Sequence, residues 1–509
     1  MDNAGTQTRF IGVDAIFQYA GSGVQFFSGL VFYLIAVRMF STSSVGAIAL
    51  FVAIVGLFNI IFSFGLSTAS QHFTSYNLGR GDYASVKKTI HRILAYGFFL
   101  SIAGLVTIEI LAGAISTVFL HSTSYTEPVR ILGVVLFGNI MFAILNGTIL
   151  GIQLFRLSAI ISIVIWMVYY FGALIFAVYL RSIETVVFGW LIGIFLGVFV
   201  ELVVVLSSIK RYLDDGVPPQ KSYLFKYSLP ILFSGIVSFG AAYADRFVVS
   251  SLLSLSDLGV YNFALLIASS LNFLIFPFNN VLMPKFSEFF GRGDRNLIAS
   301  MGKISITLMS YFYVPSALGI AALSPAILEL LGGSEYVPAA FPLKIIMILT
   351  ALFITQNIFT QSVASIRRTR ILLYSSVVAL AGNLVFSIIL IPSLGLTGAA
   401  IGYSSVYAIT FSLLYYFARK ESIASFDLFA VSKVWVSAIS MYIIVALLSE
   451  FLGLKIIYLP LYVFIGAMVY VSLTKMMSVF KAEDKNLILS MFPSRLIFIR
   501  KILILLVLQ

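Results

Sequence analysis

The sequence predicts an all-α polytopic membrane protein of fourteen transmembrane helices, built as two pseudo-symmetric six-helix lobes and a C-terminal helix pair. Three observations predict it. Of 509 residues, 60% are hydrophobic and only 10% charged, with a mean hydropathy of +1.06; soluble domains run nearer half apolar and a quarter charged. Apolar blocks long enough to cross a bilayer recur fourteen times, and basic residues fall in alternate loops between them. A short internal repeat returns at an offset close to 213 residues. This composition excludes a soluble enzyme.

The first block, 13–37, follows a polar leader carrying one basic residue, Arg9. It is too long and too Gln-rich for a cleaved signal peptide, so it is read as the first span. Blocks at 45–66, 91–113, 129–150, 159–180 and 184–207 complete a first lobe. Blocks at 227–250, 258–283, 302–323, 342–362, 371–391 and 395–417 make a second, and 432–452 and 456–474 a trailing pair. The expected divisions are 1–215, 216–420 and 421–509. The stretch Leu496–Gln509 is apolar but too short to span, and with Arg500 and Lys501 it reads as a basic amphipathic segment on the inner surface.

The net charge of +12 would suggest nucleic acid in a soluble protein; here it reports orientation. With the N-terminus placed inside, 26 of the 32 basic residues fall in the leader, the even-numbered loops and the tail. Fourteen spans with both termini cytoplasmic, in the cell membrane, satisfy that bias. There is no Cys, which removes disulfides and thiolate sites. Three scattered His (His72, His91, His121) make no zinc site. No cofactor is expected.

The repeat supports duplication. Phe40-Ser-Thr-Ser-Ser-Val-Gly46 corresponds to Leu253-Ser-Leu-Ser-Asp-Leu-Gly259, and Gly79-Arg-Gly-Asp82 to Gly291-Arg-Gly-Asp294. Asn146 and Arg156 match Asn357 and Arg367, and Val186-Val-Phe-Gly189 matches Ala399-Ala-Ile-Gly402. Each pair occupies the same topological slot, so a six-helix block was duplicated; six being even, both copies insert the same way up, with a central cavity between them. The Arg-Gly-Asp triplets, on the predicted inner side, read as tight turns with paired charges.

Polar side chains within spans are costly and tend to face a bundle interior or a wet cavity. In the first span, Asp14, Gln18, Gly21 and Gln25 share one helix face. Asn139, Asn146 and Gln153 do so in the fourth, and Thr350, Asn357 and Gln361 lie in the equivalent tenth. Such amides suit interhelical hydrogen bonding or a hydrated cavity contacting sugar hydroxyls; their recurrence in both halves favours the cavity. Asp245 and Arg246 point about 100° apart on a helix, so they are not expected to pair face to face. Arg38, Arg246 and Glu109 lie near outer helix ends, where snorkelling is the default. An Arg facing a cavity would instead grip a phosphate bidentately, which makes Arg246 the leading candidate for headgroup contact. Asp14, Glu109 and Glu201 are candidate protonation sites for ion coupling.

The stretch from Tyr243-Ala-Asp-Arg246 to Asp257-Leu-Gly-Val-Tyr-Asn262, followed by Pro284-Lys-Phe-Ser-Glu288 and Gly291-Arg-Gly-Asp294, resembles the signature of the polysaccharide transporter family. Leu78-Gly-Arg-Gly-Asp-Tyr83 and Leu394-Gly-Leu-Thr-Gly-Ala-Ala-Ile-Gly402 carry the likeness further. That family includes Wzx-type O-antigen flippases and belongs to the superfamily of multidrug and toxin extruders, oligosaccharidyl-lipid flippases and lipid II flippases. The resemblance implies two V-shaped lobes that move a polyprenyl- or dolichyl-linked sugar by alternating access while the lipid tail stays in the bilayer. Implied partners are a lipid-linked glycan, membrane lipid, H+ or Na+, and enzymes of glycan biosynthesis, with no nucleic acid. The lipid II branch resembles proteins with several basic residues in the cavity, whereas this first span offers Asp14, Gln18 and Gln25; that favours a more neutral glycan. The alternatives are a cation-coupled multidrug exporter on the same fold and a membrane glycosyltransferase or polymerase. Loops are short and no GxxxxGK[ST] phosphate loop is present, which argues against chemistry in this chain.

Overall fold

The computed structural model describes residues 2–180, 182–210 and 221–480, without the side chains of 2–16, 221–223, 276, 277 and 279–281. The segment Leu496–Gln509 and the side chain of Asp14 therefore lie outside the described residues. The described chain contains no strand. Its α-helices are α1 (Asp2–Met39), α2 (Thr42–Ser63), α3 (Leu66–Gly79), α4 (Tyr83–Val118), α5 (Thr126–Gly151), α6 (Phe155–Leu180), α7 (Ile183–Ile209), α8 (Lys221–Leu252) and α9 (Leu255–Ser270). They continue with α10 (Phe276–Gly291), α11 (Arg295–Ala322), α12 (Ser324–Gly332), α13 (Ala340–Phe353), α14 (Gln356–Ser365), α15 (Thr369–Leu394), α16 (Leu396–Lys420), α17 (Leu428–Leu452) and α18 (Leu459–Met476). Among the described residues, fourteen helical stretches are long and apolar enough to cross a membrane, one for each predicted block. The chain is a multi-pass membrane protein. Its outward apolar side chains, such as Phe99, Ile110 and Phe199, suit acyl chains rather than water.

Three predicted spans are interrupted. The second ends at Phe64 and Gly65, both left-handed (φ 50 and 68), before α3 resumes. The eighth narrows to a 3-10 turn over Leu271–Leu274 between α9 and α10, and the tenth breaks at Ile354–Thr355. An unbroken apolar run hides such points, because the local backbone and not hydropathy sets them. The short helix α12 fills the connection between the ninth and tenth spans.

The chain divides into two compact units, residues 1–239 with 254–259, and 240–253 with 260–509. In the first, α1 packs on α6, α6 on α7, and α5 on α3, α4 and α7. In the second, α15 pairs with α16, α11 with α13 and α17, and α17 with α18. Small residues make the seams close, as expected where dispersion replaces the hydrophobic effect. Gly189 of α7 lies on Ala173 of α6, and its repeat counterpart Gly402 of α16 lies on Ser387 of α15.

The Arg-Gly-Asp triplets also serve the same purpose twice. Gly81 and Gly293 take the left-handed conformation (φ 72 and 74) that glycine accepts without penalty. Asp82 then caps α4 by accepting from the Ser85 N–H at 3.1 Å, and Asp294 caps α11 by accepting from the Leu297 N–H at 3.0 Å. The Ser85 hydroxyl and N–H hold the Asp82 carboxyl below its ordinary range. No direct Arg–Asp ion pair forms in either triplet among the described residues: Arg80 reaches back to the Tyr76 hydroxyl at 3.4 Å and Arg292 to Glu288, while each Asp is committed to its cap and the Arg80 charge adds to the lowering of Asp82.

Within the first unit, Gly46 of α2 meets the first turn of α9. A side chain on Gly46 would strike the Leu255 carbonyl, and one on Gly259 would strike the Thr42 carbonyl. Thr42 and Leu255, like Gly46 and Gly259, correspond in the repeat, so the contact is locally two-fold. Thr42 Oγ1 and Ser256 Oγ, 2.7 Å apart, close it. Gly46→Ala and Gly259→Ala should each lower stability by about 1–3 kcal/mol through overpacking. Gly172→Ala, where a Cβ meets open space, should not. Thermal unfolding of the purified chain measures this; tolerance of alanine at both positions would contradict it.

Candidate functional sites

Among the described residues, each unit holds one fully buried carboxylate with polar partners around it. In the first, α7 carries Glu201, fully buried. Asn146 of α5 donates from Nδ2 to Glu201 Oε1 at 2.7 Å and to the Ser158 hydroxyl of α6 at 3.1 Å; Ser162 stands at 3.5 Å. An amide nitrogen has two protons, so Glu201 and Ser158 use both. Glu201 Oε2 has no hydrogen-bond partner among the described residues. A buried carboxylate with one donor is under-compensated, which leaves the second oxygen open to a proton or a small cation.

In the second unit the cluster is built on the hairpin of α8 and α9. Asp245 is fully buried; Tyr261 donates its hydroxyl to Asp245 Oδ2 at 2.7 Å. Arg246 donates from Nε to Asn262 Oδ1 at 3.2 Å and from Nη1 to the Ala242 carbonyl at 2.6 Å. Its guanidinium carbon lies 4.3 Å from the centre of the Tyr243 ring, a cation–π contact. Tyr403 and Tyr407 of α16 pair through their hydroxyls at 3.3 Å.

Two expectations are corrected here. Arg246 Nη1 comes within 3.6 Å of Asp245 Oδ1, so the neighbours do share an ion pair. The long Arg chain curls back along its own helix, which 100° of separation permits. Arg246 does not snorkel either: its side chain is 12% exposed, because carbonyl, amide and ring partners are all within reach. Two Nη2 donors are left that no described residue accepts. Asp245 Oδ1 has the ion pair but no hydrogen bond.

Gln18 donates from Nε2 to the Phe155 carbonyl at 2.6 Å, and Gly21 faces Ala159, so this part of the α1 stripe joins α6; Gln25 is half-buried. Asn139 bonds the Val135 carbonyl within its own helix at 3.0 Å. Asn357 satisfies the Ile354 carbonyl at the α13–α14 break at 3.0 Å, and Gln361 is half-buried one turn on. Glu109 is half-exposed and paired with Arg130 at 3.1 Å. Arg38 is exposed in the last turn of α1, where a cation suits the helix dipole. The structure thus joins Asn146 to Glu201 and Asp245 to Arg246. Sequence reasoning missed Ser158, Tyr261, Asn262 and Tyr243. It also missed Asn383, fully buried on α15 and donating to the Ala241 carbonyl at 3.1 Å.

Residues 35–341 match the family described as "Polysaccharide biosynthesis protein". A relative in Haloferax volcanii, named "Probable low-salt glycan biosynthesis flippase Agl15", is 24% identical over 460 residues, covering 89% of this chain and 92% of that one. Among solved structures, the lipid II flippase MurJ in an inward closed conformation superposes with a TM-score of 0.71 at 16% identity, covering 93% of this chain and all of that one. An inward-facing multidrug resistance transporter of the MATE family gives 0.67 at 14% identity, covering 78% and 94%. These two establish the fold.

The Tyr261–Asp245 bond predicts a non-additive pair. Tyr261→Phe and Asp245→Asn should each cost about 1–3 kcal/mol by leaving a buried polar group short of a partner. The double variant should lose clearly less than the sum. Unfolding of the four proteins in one detergent measures the coupling; strictly additive losses would mean the bond contributes nothing.

Proposed function

We propose that this chain, which belongs to the polysaccharide biosynthesis protein family, is a flippase that moves a lipid-linked oligosaccharide across the cytoplasmic membrane by alternating access. The observation that carries the reading is the near full-length match to a relative named as a glycan biosynthesis flippase. The second-unit cluster supports it. Spare Nη2 donors on a rigidly held Arg246 suit an anionic headgroup, since guanidinium binds phosphate in a forked geometry. The hydroxyls of Tyr403 and Tyr407 and the amide of Asn262 suit a sugar. On this reading the lobes divide at 1–215 and 216–420, with 421–509 as an addition, and both termini are cytoplasmic. The protein is a transporter, not an enzyme.

A coupling ion, H+ or Na+, would be taken up at Glu201, with Asp14 as a further candidate. Glu109 is the weaker choice, since Arg130 already neutralises it in the open. Arg38, Gln25 and Gln361 would contribute polar surface on the path of the sugar, while Gln18, Asn139, Asn146 and Asn357, each already bonded within its unit, would hold the helices beside that path. Enzymes of glycan biosynthesis would be its partners. A second reading, a cation-coupled multidrug exporter, is favoured by one feature: the buried Glu201 with its free oxygen, the kind of group that exchanges drug for ion.

In a strain lacking the native gene, Arg246→Ala should leave about tenfold more of the lipid-linked glycan on the leaflet where it is made, since a charge-assisted contact contributes roughly 1.5–3 kcal/mol. Arg246→Lys should recover part of the flux, keeping charge but not the fork. Lys455→Ala, at an exposed position, should behave as wild type. Leaflet-selective labelling with mass spectrometry reads the outcome. Full flux through an Arg246→Ala protein expressed at normal level would overturn the headgroup role.

A further inference from the structure

We propose that the second unit carries a site for one anionic glycerophospholipid, its acyl chain in an apolar groove between α11, α12, α17 and α18 and its phosphodiester beside Lys433. The groove has a volume of about 350 Å³ and is walled by residues such as Pro315, Gly319, Met441, Val445 and Gly466. Further along α11 and α17, against the residues that follow α18, lies a second cavity, of about 160 Å³, whose lining includes Lys303, Thr307, Asp427 and Lys433. Thr307 is one turn from Tyr311, which lines the groove, and Lys433 is two turns from Met441. The rings of Tyr311 and Phe480, 5.4 Å apart, stand where groove meets pocket. An apolar trough that ends in a cationic pocket has the chemistry of a lipid with a charged head.

The charge balance selects the head. Lys303 Nζ is paired with Asp427 Oδ2 at 2.9 Å, and the other oxygen of Asp427 caps α17 by accepting from the Ala430 N–H at 3.0 Å. Lys433 donates to the Ser478 carbonyl at 3.2 Å and stands 4.5 Å from the centre of the Phe429 ring. No carboxylate among the described residues pairs with it. Among the described residues the pocket therefore keeps one positive charge, matching a single phosphodiester. Arg295 and Arg368 both pair with Glu421, which gathers three basic loops on one face of the unit, with Lys303 and Asp427 adjoining; charged loops at helix ends suit a polar headgroup. No residue of the Arg246 or Glu201 clusters lines either cavity, so the site stands apart from the proposed sugar path and does not depend on it. That separation favours a resident membrane lipid over the transported carrier.

The test uses the purified full chain, delipidated and then exposed to equimolar phosphatidylglycerol and phosphatidylcholine, with native mass spectrometry counting retained lipid. The wild type should keep one phosphatidylglycerol with about fivefold preference, the scale of one Lys at a membrane surface. Lys433→Gln, which leaves the Lys303–Asp427 pair in place, should abolish the preference, and Lys433→Arg should restore it. Gly319→Leu fills open groove space and should reduce retention of both lipids. Equal retention by the wild type, an unchanged preference in Lys433→Gln, or full retention by Gly319→Leu would overturn the site. A polyprenyl phosphate displacing phosphatidylglycerol one for one at equal concentration would assign the groove to a carrier and overturn the phospholipid.

Discussion

Within hydrocarbon there is no water to accept a stray hydrogen bond, so each polar group that enters a span must find its partner inside the protein. That constraint orders this molecule. Hydroxyls mostly bond back to their own helix, as Ser305 does to the Met301 carbonyl and Ser404 to the Ala400 carbonyl. Amides close seams: Gln18 onto α6, Asn383 onto α8. Where satisfaction is incomplete the exception is informative. Among the described residues, the two buried carboxylate oxygens that lack a hydrogen bond belong to Glu201 and Asp245, one in each unit.

Duplication preserved punctuation and let chemistry diverge. Asp82 and Asp294, Gly81 and Gly293, Gly189 and Gly402, and Gly46 and Gly259 each do the same local work in both copies, since a cap or a close crossing tolerates few residue types. The polar clusters have no such symmetry. At the 213 offset, Asp245 and Arg246 correspond to Phe32 and Tyr33, and Glu201 to Leu414. Phe32 is fully buried and packs against Tyr170 and Trp190. One unit therefore holds a carboxylate with an amide, the other a carboxylate with a guanidinium. That asymmetry fits a division between ion uptake and headgroup contact.

Much of this was legible in the sequence, for physical reasons that also mark where legibility ends. Length and hydropathy specify spans, so all fourteen were found, and the motifs around Tyr243–Asn262 identified the family. The partners of Asp245 and Arg246 could also have been read. Tyr261 and Asn262 each lie sixteen residues beyond them, nearly the same distance past the turn at Leu253–Ser254, and an antiparallel hairpin brings such positions together. Asn146 and Glu201 offered no comparable signal, since their meeting depends on the rotation of α5 and α7 in the packed unit. The helix breaks were hidden because left-handed residues such as Phe64 leave the apolar pattern intact.

The central claim, movement of a lipid-linked sugar between leaflets, is tested most directly with the purified chain in sealed vesicles. A lipid-linked oligosaccharide placed in both leaflets is exposed to a membrane-impermeant lectin. The account predicts that lectin captures nearly all of it when the protein is present and about half when it is absent. Capture stalled at half with active protein, in vesicles where the same preparation extrudes a cationic dye under an ion gradient, would contradict it.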